Sequence, residues 1–235
     1  MKSSEDIISL ARSYAPIVHF HPREGEFCCY PSDAEEIYET FHQDWTLFVE
    51  DRRPKQLLAS SPCYYEYWKD ENLIQIRYWF WYRFNDFPGA PFSIGKHVGD
   101  WENVEVRFFG SREVDDAIWL LSNHYEARLA SIAKTLPGFL LEGAILNQEQ
   151  INVWSALGTH ANYPSPQSSP RCYFRIFCDR IADGGFIWNT QENLILMEET
   201  NFKSFKGRWG DKKAPRGPAN EYNNRWRNAP DTDPV

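Results

Sequence analysis

The amino-acid sequence predicts a mainly β fold, an antiparallel two-sheet β-sandwich with a few short peripheral helices. Apolar side chains alternate with their neighbours over residues 73–84, where Ile74, Ile76 and Tyr78 share one face, as a strand requires. Aromatic residues make up 16% of the 235 residues, which is typical of strand-rich chains. Loops rich in Gly and Pro separate the candidate strands.

The sequence of the N-terminal third predicts a short helix, a strand and a second short helix, in that order. Apolar residues recur every three to four positions after Ser3 or Ser4, and Pro16 ends that helix. Residues 17–21 predict a strand with His19 and His21 on one face, where the pair could bind a metal or simply pack. Ser32 opens a Ser-x-x-Glu capping box, which predicts a helix over residues 33–42.

The remaining elements follow the same rules. Residues 51–70 predict a loop with at most a short edge strand, and residues 126–136 predict a helix inserted between strands. Further strands are expected at these ranges: about 100–108, 117–124, 151–157, 173–178, 186–188 and 194–197. We expect one domain over residues 1–210, followed by an extended or partly disordered tail over residues 211–235.

Composition narrows the range of functions. The formal net charge of -8 argues against nucleic-acid binding, because phosphate neutralisation needs a basic surface. The five cysteines are odd in number and lack the paired spacing of a metal site. If Cys172 and Cys178 lay on one continuous strand, they would be too far apart to bridge, so we expect reduced thiols.

Location is also constrained by the sequence. No apolar segment follows the first residues as a signal peptide would require, and no run approaches the length of a transmembrane helix. We therefore expect a cytoplasmic protein.

The stretch from His97 to Arg107 carries the densest chemistry. Asp100 and Glu102 fall on one face of the predicted strand, and Gly99 allows a sharp turn beside them. Adjacent carboxylates repel each other, and an Mg, Ca or Mn ion would relieve that repulsion. The alternative is a loop histidine at His97, a turn cap at Asp100 and a solvated charge at Glu102.

Other candidate residues follow strand ends. His124 and His160 each come just after a predicted strand, as His97 comes just before one. With Asp100 and Glu102, the three histidines are the candidate catalytic groups if these loops converge. Candidate substrate-binding residues are the aromatics of the strands and the acids of a later turn: Trp79, Trp81, Trp101, Tyr163, Asp179 and Asp183. For the aromatics, burial in the core is the alternative.

A set of motifs resembles a known family. In chain order these are residues 16–22, 31–32, 97–102, 155–164, 183–185 and 207–210. Together they are similar to the family named for vacuolar protein sorting-associated protein sixty-two, which is common in fungi and plants. The resemblance extends from about Ala15 to Gly210.

The Gly99-Asp100-Trp101-Glu102 core is also similar to the heptapeptide of the necrosis- and ethylene-inducing-like proteins. Those proteins are secreted β-sandwich cytolysins in which acidic residues hold a divalent cation used in recognising sphingolipids. The resemblance implies that Asp100 and Glu102 are cation ligands or orienting carboxylates and that His97 is their neighbour. Val98 and Gly99 stand where the heptapeptide has charged residues.

Three functions are compatible with these observations. The first is an enzyme that uses acid-base chemistry on a small organic substrate in an aromatic-lined cleft, by hydrolysis, dehydration or cyclisation. The second is a cation-dependent module that binds a sugar or lipid head group without turnover. The third is a structural cation site. No nucleotide cofactor is expected, because no glycine-rich phosphate-binding motif is present.

Overall fold

The computed structural model describes residues 4–69, 71, 73–109, 117–121, 146–147, 149–173 and 176–221. Its α-helices are α1 (Ser4–Ser13), α2 (Glu24–Phe27) and α3 (Ala34–Phe41). Its first strands are β1 (Ile17–Phe20), β2 (Cys63–Lys69), β3 (Leu73–Asn85), β4 (His97–Phe109), β5 (Ala117–Leu121) and β6 (Leu146–Asn147). The others are β7 (Gln150–Ser155), β8 (Asn162–Tyr163), β9 (Cys172–Tyr173), β10 (Phe177–Cys178), β11 (Ile187–Asn189) and β12 (Leu194–Leu196). The mainly β class is confirmed.

Two sheets organise the fold, and both are mixed. One has the order β12-β2-β3-β4-β5, with β12 parallel to β2 and the other pairs antiparallel. The other has the order β11-β1-β7-β6, with β8 also on β7 and with β1 parallel to β7. The parallel pairs join strands far apart in sequence, where no hairpin turn imposes an antiparallel arrangement.

The long pair β3 and β4 positions the candidate site. Its register pairs Tyr82 with Asp100 and Phe80 with Glu102, so both carboxylates lie on the face that packs on the second sheet. The ring of Phe80 contacts Trp188 of β11 at a centroid distance of 5.3 Å across that interface. The central part of β4 is therefore enclosed between the two sheets.

The opposite face of β3 and β4 is buried as well. Trp79, Trp81 and Trp101 are fully buried there, and the ring of Trp81 lies 4.7 Å from that of Trp209. Residues after β12 fold back over this face, and the backbone N–H of Trp209 donates to the carbonyl oxygen of Pro215 at 3.0 Å. Aromatic residues therefore occur on both faces of β3 because both faces are buried.

Several local expectations hold. Helix α1 buries Ala11 and ends at Ser13, and the buried Tyr14 lies between it and Pro16. Strand β3 matches its predicted range closely, and β4 begins at His97, before the predicted start near Asp100. The expected loop at residues 51–70 contains the seven-residue strand β2. No helix of the structurally described ranges is long and apolar enough to cross a membrane.

Two local expectations were wrong. Asp33, not Ser32, caps α3, because the Asp33 carboxylate accepts from the backbone N–H groups of Glu35 and Glu36. Cys172 and Cys178 form a disulfide. They lie on the two antiparallel strands of the hairpin β9–β10, directly opposite each other, rather than on one continuous strand. Such opposed residues are close enough to bridge.

The structure describes the first part of the predicted tail, residues 211–221. Within residues 211–221, Ala214 is fully buried, so this part packs on the domain. Residues 222–235, the predicted helix over residues 126–136 and His124 lie outside the described residues.

Candidate functional site

His160 lies at the centre of a buried polar cluster. Its imidazole is fully buried and stacks on the Tyr82 ring at a centroid distance of 3.7 Å and an angle of 3°. The residue has a φ of 57°, a left-handed conformation that is uncommon for side chains of this size. Backbone strain of this kind concentrates at functional sites and is maintained by the surrounding packing.

Asp100 joins His160 to His97. The Nδ1 of His160 lies 3.3 Å from Asp100 Oδ2, and the Nε2 of His97 lies 4.0 Å from Asp100 Oδ1. His97 also donates from Nδ1 to the carbonyl oxygen of Gly99 at 2.7 Å, which is possible because Gly99 adopts a φ of 69°. The structure thus brings together two of the three predicted histidines.

Glu24 completes the cluster from α2. Its carboxylate is fully buried, with Oε1 at 3.5 Å from His160 Nε2 and Oε2 accepting from the Gly158 backbone N–H at 3.1 Å. Gly158 has a φ of 68°, and a Cβ there would meet the carbonyl oxygen of Asp86 at 2.5 Å. The glycine therefore allows the turn that carries His160 to approach both segments.

Glu102 is fully buried on the same face of β4 as Asp100. Both carboxylates act electrostatically on Tyr82, although burial is the largest cause of the raised pKa of that phenol. The cluster therefore places three carboxylates, from Glu24, Asp100 and Glu102, around one aromatic ring and one imidazole.

Two adjacent cysteines lie against His160. The sulfurs of Cys28 and Cys29 are 3.2 Å apart, and both thiols donate to the carbonyl oxygen of Phe84, at 3.2 and 3.3 Å. One nitrogen of His160 and the two sulfurs all lie within 4.8 Å of one another. In the described part of the chain, this is the group of three potential metal ligands that converges; Asp100 and Glu102 do not belong to it.

The pKa values of this group are shifted in opposite directions. Burial favours the neutral imidazole, but the close approach of Asp100, Cys29 and Glu24 outweighs it and raises the pKa of His160 well above its usual value. Burial also favours the neutral thiol of Cys29, yet hydrogen bonds with Cys28 and His160 lower the pKa of Cys29 to about 6. Cys29 and His160 thus each favour the charged form of the other.

Most predicted substrate-binding residues are buried. Trp79, Trp81 and Trp101 belong to the core described above rather than to an open cleft. Tyr163 donates to Asp179 at 2.5 Å, and Asp179 is 3% exposed. These two residues therefore support the loop after β7 instead of facing solvent.

Asp183 is the exposed member of that set. Its side chain is 69% exposed and lies 4.0 Å from Nδ1 of His19, which stacks on Trp154 at 4.5 Å. The Nε2 of His19 donates to the Asn152 side-chain oxygen at 2.8 Å. This arrangement supports packing and hydrogen bonding as the role of His19.

Sequence reasoning missed Glu24, Cys28 and Cys29. The paired spacing sought among the cysteines does not apply to adjacent residues whose partner, His160, is distant in the chain. Glu24 follows the strand that carries His19 and showed no periodic signal. Only the packing of α2 under the turn at Gly158 brings these residues together.

The loop between β3 and β4 precedes His97 and carries an exposed aromatic side chain. Its base is tied by Asp86, which accepts from Arg52 at 2.5 Å and lies 3.6 Å from Lys96 Nζ. At its tip Phe92 is 97% exposed, and both Phe92 and Ser93 have positive φ values. The loop therefore has an anchored base and an exposed aromatic tip.

A separate polar cleft of about 230 Å³ lies beside α3. Asp33, Glu36, Arg53 and Arg83 contribute its charged groups. Arg83 follows Tyr82 in β3 and therefore points to the opposite face of the sheet from the His160 cluster. The cleft and the cluster are distinct.

Comparison with known proteins confirms the predicted resemblance in sequence. The chain is 27% identical to vacuolar protein sorting-associated protein 62 of Saccharomyces cerevisiae over 172 residues, 61% of this chain and 36% of that protein. It is also 27% identical to the putative vacuolar protein sorting-associated protein TDA6 of the same yeast, over 77% of this chain and 46% of that protein. The chain thus spans less than half the length of these relatives. No protein-family model matches it.

Structural comparison finds NLP proteins. The non-toxic HaNLP3 protein aligns with a TM-score of 0.44 and 16% identity, over 82% of this chain and 76% of that one. NLPPya in complex with mannosamine aligns with a TM-score of 0.41 and 14% identity, over 82% and 74% of the two chains. Both TM-scores are below 0.5. The mannosamine belongs to the NLPPya complex.

Proposed function

We propose that this chain is a binding module for the polar head group of a glycan or lipid, without turnover. The observation that carries the proposal is the burial of the His160 cluster. His97 is 22% exposed in its side chain, whereas the side chains of Glu24, Asp100 and His160 are at most 4% exposed. A group that exchanges protons with a substrate must reach it. The buried members can orient His97 but cannot touch a ligand.

The ligand contacts of this proposal come from the loop after β3. Phe92 offers an exposed aromatic ring, which suits the apolar face of a sugar or the edge of a lipid layer. Lys96 and Arg180 add cationic donors, with Arg180 lying against Gly89 of the same loop. In this proposal these groups act together with His97 as a polar and aromatic contact surface.

A divalent cation at Asp100 and Glu102 is part of this proposal. Carboxylate oxygens suit calcium, magnesium or manganese. Because both carboxylates are buried, an ion held there would be enclosed and would order the strand that carries His97 rather than bridge to the ligand. Asp100 already contacts His160, so further oxygen ligands would have to complete the coordination.

The test measures binding and turnover together. The purified chain is mixed with phosphatidylcholine vesicles, with and without a glycosylated sphingolipid, and with free amino sugars, and binding is followed by sedimentation and calorimetry. We expect binding to the glycosylated probes, weakened at least tenfold by His97→Ala or Phe92→Ala with unchanged thermal stability. Glu36→Gln and Arg53→Gln in the cleft are the controls and should bind as the wild type does.

Two results would contradict the proposal. Loss of binding in the cleft variants, with His97→Ala unaffected, would move the ligand to the cleft beside α3. Release of a chemically altered sugar or lipid, detected by mass spectrometry, would favour the acid-base enzyme instead.

A further inference from the structure

We propose that Cys28, Cys29 and His160 bind a zinc ion, with Glu24 as the fourth ligand. None of the ligands of this site reaches the surface, so they differ from the groups proposed to contact a head group, although Asp100 borders both sites. The zinc site also differs from the predicted carboxylate site, since its donors are two sulfurs and a nitrogen. Thiolate, imidazole and carboxylate together are the donor set that zinc prefers in proteins.

The geometry brings three of the four proposed ligands within range of one ion, and the carboxylate of Glu24 would have to move towards them. The two sulfurs and one nitrogen of His160 lie within 4.8 Å of one another. Zinc bonds of about 2.3 Å to sulfur and about 2.0 Å to nitrogen span such a group. The sulfurs, at 3.2 Å, would have to separate slightly to satisfy a tetrahedral angle, which a small rotation of either thiol provides.

Two buried atoms of the cluster point to a missing partner. Glu24 Oε1 and His160 Nε2 face each other but make no hydrogen bond of good geometry within the described structure, and both residues are fully buried. They lie 3.5 Å apart, too far for a good hydrogen bond but suitable for two ligands of one metal. A buried polar atom without a partner is costly, and a metal ion would remove that cost.

Asp100 orients the imidazole for this role. Its Oδ2 lies 3.3 Å from His160 Nδ1, which places the ring proton on Nδ1 and leaves Nε2 as a lone-pair donor. A carboxylate behind a histidine ligand is a recurrent arrangement in zinc sites, and its loss typically costs 10- to 100-fold in metal affinity. Asp100 is thus a positioning residue in this proposal.

Full burial argues against a catalytic Cys29–His160 pair. Such a pair would be a nucleophile only if a substrate reached the sulfur, and Cys28, Cys29 and His160 are all fully enclosed. A structural metal needs no such access. On binding, the two thiols and Nε2 of the protonated His160 release their protons to solvent, and the two thiolates and the Glu24 carboxylate face the dication, with the Gly158 N–H still bound to Glu24 Oε2.

The test begins with wild-type protein purified under reducing conditions. We expect elemental analysis to find one zinc per chain, and replacement by Co²⁺ to produce a thiolate-to-cobalt charge-transfer band. Zinc should slow alkylation of Cys28 and Cys29, located by peptide mass spectrometry. Cys63, a fully buried thiol of β2 outside the group, is the internal reference and should react at the same rate with or without zinc.

Variants complete the test. Cys28→Ser and Cys29→Ser should abolish the cobalt band, whereas Cys63→Ser should retain it. Asp100→Asn should weaken zinc binding by about 10- to 100-fold. If the serine variants fail to fold, the alkylation experiment on wild type decides by itself.

Three results would overturn the proposal. These are a reduced, folded protein that shows no cobalt band, equal alkylation of Cys28 and Cys29 with and without zinc, and a disulfide between Cys28 and Cys29 in the native protein. Bound calcium or magnesium without zinc would support the carboxylate cation of the proposed function and overturn the zinc site.

Discussion

The carboxylate of Asp100 lies 3.3 Å from Nδ1 of His160, and this contact joins β4 of one sheet to the turn after β7 of the other. Both side chains are almost fully buried, so water does not screen the interaction. The contact therefore contributes to the cohesion of the two sheets as well as to the orientation of the imidazole. Its removal leaves Glu24 as the carboxylate still paired with the buried histidine.

Replacement of Asp100 by Asn is expected to lower the free energy of unfolding by about 3 kcal/mol, because it removes one charge from a buried pair. Urea denaturation measures the change. Asp183→Asn is the matched control: Asp183 also faces a histidine, His19, at 4.0 Å, but its side chain is 69% exposed. We expect it to cost less than about 1 kcal/mol. Equal effects of the two variants would refute a special role for burial.

Gly99→Ala tests the turn beside the site. A Cβ at Gly99 would meet the Trp81 ring at 2.6 Å and the carbonyl oxygen of Trp209 at 2.7 Å, at a φ of 69°. We expect a loss of about 3 kcal/mol in thermal or urea unfolding. Gly184 has a φ of 92° with nothing within 4 Å of its Cβ position, so Gly184→Ala should cost only about 1 kcal/mol. A loss of stability at Gly99 no larger than that at Gly184 would show that Trp81 and Trp209 move at little energetic cost.

Asp33→Ala tests the cap of α3. Asp33 accepts from two backbone N–H groups and from the hydroxyl of Tyr64 at 2.7 Å, so its loss should cost about 2 kcal/mol. Ser32→Ala removes one long contact, 3.4 Å from Arg83 Nε, and should cost clearly less. Denaturation of both variants decides which residue caps the helix. A larger loss at Ser32 would restore the capping box expected from sequence.

Glu66 is expected to make stability depend on pH. Burial raises its pKa from 4.5 to about 7, against the opposing effect of Arg77. Between these two values the folded state keeps a proton that the unfolded state has lost, so this group makes the free energy of unfolding fall as pH rises. Glu66→Gln should remove that contribution, and the stability difference from wild type should change across this window. A constant difference from pH 4 to pH 8 would contradict the raised pKa.

The sequence alone determined several of the regular elements. Strict alternation predicted β3 and β4, and it placed Asp100 and Glu102 on one face of β4 before their surroundings were known. These properties depend on neighbouring residues, because a strand reverses its side chains at every position. The resemblance of the Gly-Asp-Trp-Glu core pointed to the same stretch.

Tertiary structure decided what those faces meet. Aromatics on both sides of β3 are equally compatible with a cleft and with double burial, and only the layer that includes Trp209 shows that Trp79, Trp81 and Trp101 are core residues. Cys172 and Cys178 lie opposite each other in a hairpin. The alternation of side chains along a strand does not predict this hairpin. Side-chain pairing across a hairpin depends on register, which alternation does not specify.

The candidate metal group also shows which properties the sequence determined and which the tertiary structure decided. Cys28 and Cys29 are adjacent in the chain, but their partner His160 comes from the turn after β7 and their neighbour Glu24 from α2. The sequence determined that these side chains can bind a metal, because ligand chemistry belongs to the residue type. Only the packing of two sheets decided that they meet, because the distance between residues remote in sequence is set by the fold as a whole.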